Sequence, residues 1–172
     1  KNLFNEDAKF WFDEFLDLYP HSFKINEVNY ELALFYFRQS AYKEAIYYFL
    51  RCDNSNNEFY FKIAYSYFVL DSLESSKYYF GKLIGSESKY AASSKYFYAH
   101  IAYKQKHYKT ALYNFLDLKE EKNFSVIIPY YVSQIYFLQK QYDNLIDYTK
   151  PMLDKVISSR EAELNRIIAE AY

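Results

Sequence analysis

Glycine occurs twice in 172 residues and proline three times, so the chain has almost none of the material from which tight hairpins and sheet corners are made. Helices joined by short connections are the architecture this leaves. Cys52 is the single cysteine, which excludes an intrachain disulfide and a thiolate metal site and leaves the redox compartment open. Charge of one sign is also lacking. A formal net charge of −1 supplies no cationic surplus for phosphate backbones or anionic lipid, and nucleic acid is not expected as a partner. The longest uncharged stretch, 123–139, holds Pro129, Ser133, Gln134 and Gln139 and is too short and too polar to span a bilayer, so no direct membrane insertion is expected. No signal-peptide pattern is present, nor a glycine-rich phosphate loop, nor a Ser or Cys beside a base in a strained turn.

What the chain has in excess is rings. Aromatic residues make up 23% of it, and since each fully buried ring removes about 150–250 Å² from water, they must supply much of any core. The second strong signal is a period. Ala33, Ala64, Ala99, Ser133 and Ala169 recur at intervals of 31 to 36 residues, and equivalent positions follow each of them. The first full unit carries Leu32, Ala33, Tyr36, Tyr42, Ala45, Phe49 and Cys52. The second carries Ala64, Tyr67, Leu73, Ser76, Phe80 and Leu83. Tyr98, Ala99, Ala102, Tyr108, Ala111, Phe115 and Leu118 mark the third, and Ser133, Tyr136, Tyr142, Leu145, Thr149 and Met152 the fourth. Within each unit these positions fall on two helically spaced stretches separated by a few polar residues, so each unit is predicted to be a helix hairpin.

The division predicts an array of about ten helices: a half repeat at 1–21, full repeats at about 22–54, 55–87, 88–124 and 125–157, and a half repeat at 158–172. Ser55 with Glu58, Asp71 with Glu74, and Ser158 with Glu161 have capping-box spacing. Pro129 is expected near a helix start, and Pro151 is expected to kink or end the second helix of the fourth unit. Ala8, Phe12, Phe15 and Pro20 fit the second helix of a preceding unit, and Ala169 and Tyr172 the first helix of a following one. Such half repeats predict a segment of a longer solenoid whose uncapped ends can support dimerisation.

The order of small residue, aromatic, aromatic, alanine and aromatic in each unit resembles the tetratricopeptide repeat (TPR). The resemblance covers nearly the whole chain and implies an all-α fold, an α-α superhelix of stacked antiparallel hairpins. Leu73, Ser76, Ala102, Leu145 and Thr149 depart from the family pattern, and Trp11 is off its tryptophan position. The stretch 15–22, Phe-Leu-Asp-Leu-Tyr-Pro-His-Ser, looks like a linker of bacterial envelope TPR proteins, which implies a periplasmic or cell-envelope setting.

In that family the first helix of each unit lines a concave groove, at the residues three before, one after and four after the small one. Carried over, these are Tyr30, Leu34 and Phe37; Phe61, Tyr65 and Phe68; Tyr96, His100 and Tyr103; and Tyr130, Gln134 and Phe137. Lys and Arg are sparse there, with Arg38, Lys62 and Lys104 only beside the groove, so a carboxylate clamp is not supported. The implied function is a non-enzymatic scaffold holding a peptide or helix of a protein partner. The alternative readings are rings that merely pack on the neighbouring unit, or a carbohydrate-binding or carbohydrate-processing repeat.

Catalytic and metal chemistry finds little footing, and no cofactor is expected. His100 and His107 fall on either side of a predicted turn without a carboxylate at ligand spacing. Asp13, Glu14 and Asp17 read as the solvated face of an amphipathic helix, Lys119–Lys122 as a charged connection, and Cys52 as a small buried hydrophobe.

Overall fold

In the computed structural model of the chain, residues 6–152 and 166–170 are described, and all regular structure among them is helical. In order the elements are α1 (Glu6–Leu18), α2 (Ile25–Arg38), α3 (Tyr42–Phe49), α4 (Asn57–Val69), α5 (Leu73–Gly81), α6 (Ala91–Lys104), α7 (Tyr108–Asp117), α8 (Ile128–Leu138) and α9 (Tyr142–Thr149). A further segment, α10, covers 166–170. Short 3-10 turns lie at Lys122–Phe124 and Lys150–Met152. The fold is all-α, a series of helix hairpins, and within each compact unit helices that follow one another in the chain pack together. It divides into two compact units, Lys1–Ala91 and Ala92–Tyr172.

Small residues on one helix facing rings on the next build each core. In the first unit Ala33 on α2 meets Ala45 and Phe49 on α3, and Phe59 and Ile63 on α4 close the same cluster. In the second unit Ala99 and Ala102 on α6 meet Ala111 and Phe115 on α7, with Ile128, Val132 and Ile135 of α8 against them. Ala33, Ala64, Ala99 and Ser133 are all fully buried, because a small side chain there lets paired backbones approach and the following ring fills the space left. Two of the polar residues at buried repeat positions are satisfied locally, Ser76 Oγ donating to Ala64 O at 2.9 Å and Thr149 Oγ1 to Leu145 O at 2.7 Å, whereas Ser133 Oγ is buried without a partner. Ala169 departs from the series. It is exposed, and Ile167 is the shielded apolar side chain of α10.

All four hairpins turn in the same way. Ser40, Asp71, Lys106 and Lys140 stand at equivalent places and take φ of 59°, 56°, 61° and 57°, the left-handed region. The next amide in each case returns to the third-last helical carbonyl: Ala41 N to Tyr36 O at 3.0 Å, Ser72 N to Tyr67 O at 2.9 Å, His107 N to Ala102 O at 2.8 Å and Gln141 N to Tyr136 O at 2.9 Å. These are Schellman closures, and they satisfy carbonyls that the helix end would otherwise orphan.

That geometry corrects the expected caps. The residue after the left-handed one is already the N-cap of the next helix, so Ser72, not Asp71, holds that place for α5, and its side chain makes no capping bond. The α4 cap is Asn56 rather than Ser55: its Oδ1 accepts from Phe59 N at 2.7 Å. Pro129 does open α8, where its missing donor is harmless, and α9 ends before Pro151. Ser158, Glu161 and Tyr172 lie outside the described residues.

A tyrosine pair clasps three of the four hairpins. Tyr36 stacks on Tyr48 with centroids 5.4 Å apart, Tyr67 on Tyr79 at 5.9 Å, and Tyr136 meets Tyr148 at 6.0 Å. Burial pushes the Tyr48 and Tyr148 phenols up to about 12, with the Asp13 carboxylate adding to the effect at Tyr48. In the third hairpin the same places hold Ala102 and Asn114, and Asn114 Nδ2 donates to Thr110 O at 2.8 Å.

Candidate functional site

Each first helix carries its three carried-over residues as one stripe, spaced by four and three positions, so they lie over one another along a single face. All twelve are half-buried. The two units hold six each.

In the first unit, Tyr30, Leu34 and Phe37 on α2 lean on the core cluster. Phe37 reaches Tyr65 of α4 at 6.0 Å, and Tyr42, the first residue of α3, touches both rings, at 5.8 Å and 6.0 Å. Phe61 lies nearly parallel to Tyr65 at 6.4 Å and stacks on Tyr90 at 4.9 Å. These edge-to-face and offset contacts are favourable arrangements of ring quadrupoles and hold the surface in one shape. Lys62 adds charge without freedom: its Nζ pairs with Glu58 at 3.0 Å and lies 5.0 Å above the Phe37 ring.

In the second unit, Tyr96, Tyr103 and Tyr130 pack against the core cluster. Tyr96 stacks on His100 at 6.1 Å and on Phe124 at 5.1 Å. Tyr131 forms a floor beneath the α6 stripe. It is stacked on Phe115 at 4.9 Å and presents its edge to His100 and Tyr103, each at 5.3 Å. Burial, assisted by the Lys104 charge, lowers the His100 pKa, so the imidazole is neutral at pH 7. Phe137 meets Tyr142 at 6.2 Å. Gln134 completes the α8 stripe as its polar member.

The stripe residues thus lean on the core from one side and stay partly exposed on the other. Tyr131 and Phe124 were not among the residues singled out from sequence. Tyr131 occupies the place that Lys62 holds in the second repeat, directly before the buried residue that precedes the small one, and both reach back toward the preceding stripe. Aligning the repeats at that offset would have found it.

The remaining sequence candidates are placed as follows. His107 is exposed at the N-cap place of α7, apart from the His100 stripe. Cys52 is buried, donates from Sγ to Phe49 O at 3.2 Å and has its thiol pushed up to about 11 by burial, which suppresses the thiolate. Asp13 is not simply a solvated charge: it pairs with Lys9 at 2.5 Å and accepts from Tyr48 Oη at 3.3 Å, while Asp17 is exposed. Among the described residues no three His, Cys, Asp or Glu gather to hold a metal ion, and no helix is long and apolar enough to cross a membrane. Comparison with protein-family models and with curated proteins returned no match to the chain.

Proposed function

We propose that the chain is a non-enzymatic scaffold of the tetratricopeptide type, which holds a helix or an extended peptide of a partner protein against its aromatic stripes. The observation that carries this reading is the recurrence of half-buried, mostly aromatic residues at the same three places of α2, α4, α6 and α8. Braced rings offer contact area without an ordering cost on the scaffold side, and phenol hydroxyls at their rims can fix a peptide's direction. The element at 15–22 supports a bacterial cell-envelope setting for this activity. Exposed Phe10, Trp11 and Leu18 on α1 support self-association at that edge.

The test uses stripe residues outside the core clusters. Combined Tyr65→Ala, Phe68→Ala and Phe137→Ala substitutions should abolish capture of the natural partner from a native extract while the helical circular dichroism spectrum is kept. Undiminished capture would remove the stripes from consideration. Binding of soluble oligosaccharide that these substitutions abolish would move the reading to carbohydrate recognition.

A further inference from the structure

A cleft of about 480 Å³ opens on the first unit among α1, α2 and α3, and it shares no lining residue with the aromatic stripes. Its apolar walls are Leu16, Pro20 and Ile25. The other groups facing it are polar, and they differ in how well they are satisfied. The Asp13 carboxylate is already engaged by Lys9 and Tyr48. The Asp17 carboxylate makes no ion pair or hydrogen bond among the described residues. Asn29, in the wall formed by α2, is only 3% exposed, and its Oδ1 is buried without a hydrogen-bond partner.

The repeats show why this place is open. Tyr60 in the second hairpin and Lys95 in the third stand where Asn29 stands in the first, and each is met by a residue from the end of its own second helix. Lys82 lies 4.8 Å over Tyr78, the equivalent of Tyr47, and still comes within 5.9 Å of the Tyr60 ring, and Asp117 pairs with Lys95. Arg51 is the equivalent residue of the first hairpin, but it turns away: its Nη1 donates to Tyr47 O at 3.0 Å and its guanidinium lies 3.3 Å over the Tyr47 ring. The closing contact is thereby withdrawn from Asn29. Ser94 Oγ and Ser133 Oγ are also buried without a partner, but Asn29 alone of these three stands in a cleft wall, beside an unpaired carboxylate and a guanidinium with spare N–H groups.

We propose that this cleft binds a small zwitterion carrying an ammonium and a carboxylate, the chemistry shared by a free amino acid and a short peptide. The ammonium donates to Asp17 and to Asn29 Oδ1, which rotation of the amide brings to the cleft wall. The carboxylate takes the N–H groups of Arg51 that Tyr47 leaves unused, and a short apolar side chain lies on Leu16, Pro20 and Ile25. The site is independent of the stripes, so the stripe substitutions above leave it intact.

Isothermal titration of the chain with L-leucine and with L-leucyl-L-leucine tests this, with N-acetyl-L-leucine and L-leucinamide as probes that each lack one charge. Binding of leucine alone identifies the free amino acid, binding of the dipeptide alone identifies the peptide, and binding of both identifies the shared chemistry. Asp17→Asn and Arg51→Gln, both at exposed positions, should each weaken binding by about tenfold or more, as expected for a charged hydrogen bond. Asn29→Leu should abolish binding while raising the unfolding midpoint, since it removes the orphaned acceptor. Asp143→Asn on α9 should change nothing. The proposal is overturned if neither zwitterion binds at millimolar concentration, if the singly charged probes bind as well as the zwitterions, or if Asp17→Asn binds like the original chain.

Discussion

The left-handed residues that close the hairpins give the sharpest quantitative test of the fold. Ser40, Lys106 and Lys140 hold φ near 60° with L side chains attached. That conformation brings Cβ against the following carbonyl and costs about 1–2 kcal/mol per residue. Glycine escapes the clash but loses about 0.5–1 kcal/mol through its freer unfolded chain, so each Ser40→Gly, Lys106→Gly or Lys140→Gly change should stabilise by roughly 0.5–1 kcal/mol. The three positions lie in different hairpins and share no partner, so the gains should add to about 1.5–3 kcal/mol. For a chain of this size that is a rise in melting temperature of roughly 3–12 °C, readable by thermal circular dichroism. Glu44→Gly, inside α3, serves as the control and should cost about 1 kcal/mol. A triple variant that melts no higher than the original chain would refute the shared turn geometry.

Two further outcomes follow from the second unit. Phe115 is fully buried against Tyr131 and Tyr96, so Phe115→Ala should cost about 3–5 kcal/mol in urea denaturation, whereas Tyr113→Ala, on the exposed side of α7, should stay within about 0.5 kcal/mol. The depressed His100 pKa means that the unfolded chain takes up a proton first as acid is added. Stability from this group is therefore present above pH 6.5 and is lost as pH falls below it. His100→Gln should flatten that slope in denaturation midpoints measured from pH 7.5 to pH 5; an unchanged slope would assign the acid response elsewhere.

The period of the small residues carried most of the fold. Tyr42, Leu73, Tyr108 and Tyr142, picked out as repeat positions, are each the first residue of a second helix. Capping was misread because the Schellman turn delivers the chain into the next helix after a single left-handed residue. The N-cap place then falls to Ala41, Ser72, His107 and Gln141, none of which makes a side-chain cap. Ser and Asp near a boundary are ordinary cap signals only where the preceding helix is not already closing on itself. The stripes were placed by resemblance and their half-burial was not legible, because periodicity identifies a face without saying how deeply a neighbouring ring such as Tyr131 lies beneath it. The cleft was hidden for a similar reason. A helical wheel of α1 shows Asp13 and Asp17 facing outward, and only the return of α3 brings Tyr48 and Arg51 up beside them.

Trp11 is the single tryptophan among 23 tyrosines and 16 phenylalanines, and it stands 65% exposed on α1, with the Phe10 ring 5.4 Å away. At helical spacing it falls on the opposite side of α1 from Asp13 and Asp17, which face the cleft. Excitation at the red edge of protein absorbance, where tyrosine is dark, therefore addresses one site in the whole chain. The molecule therefore carries its own optical gauge on the outer side of α1, and intrinsic emission reports on whatever covers or uncovers that face without any label.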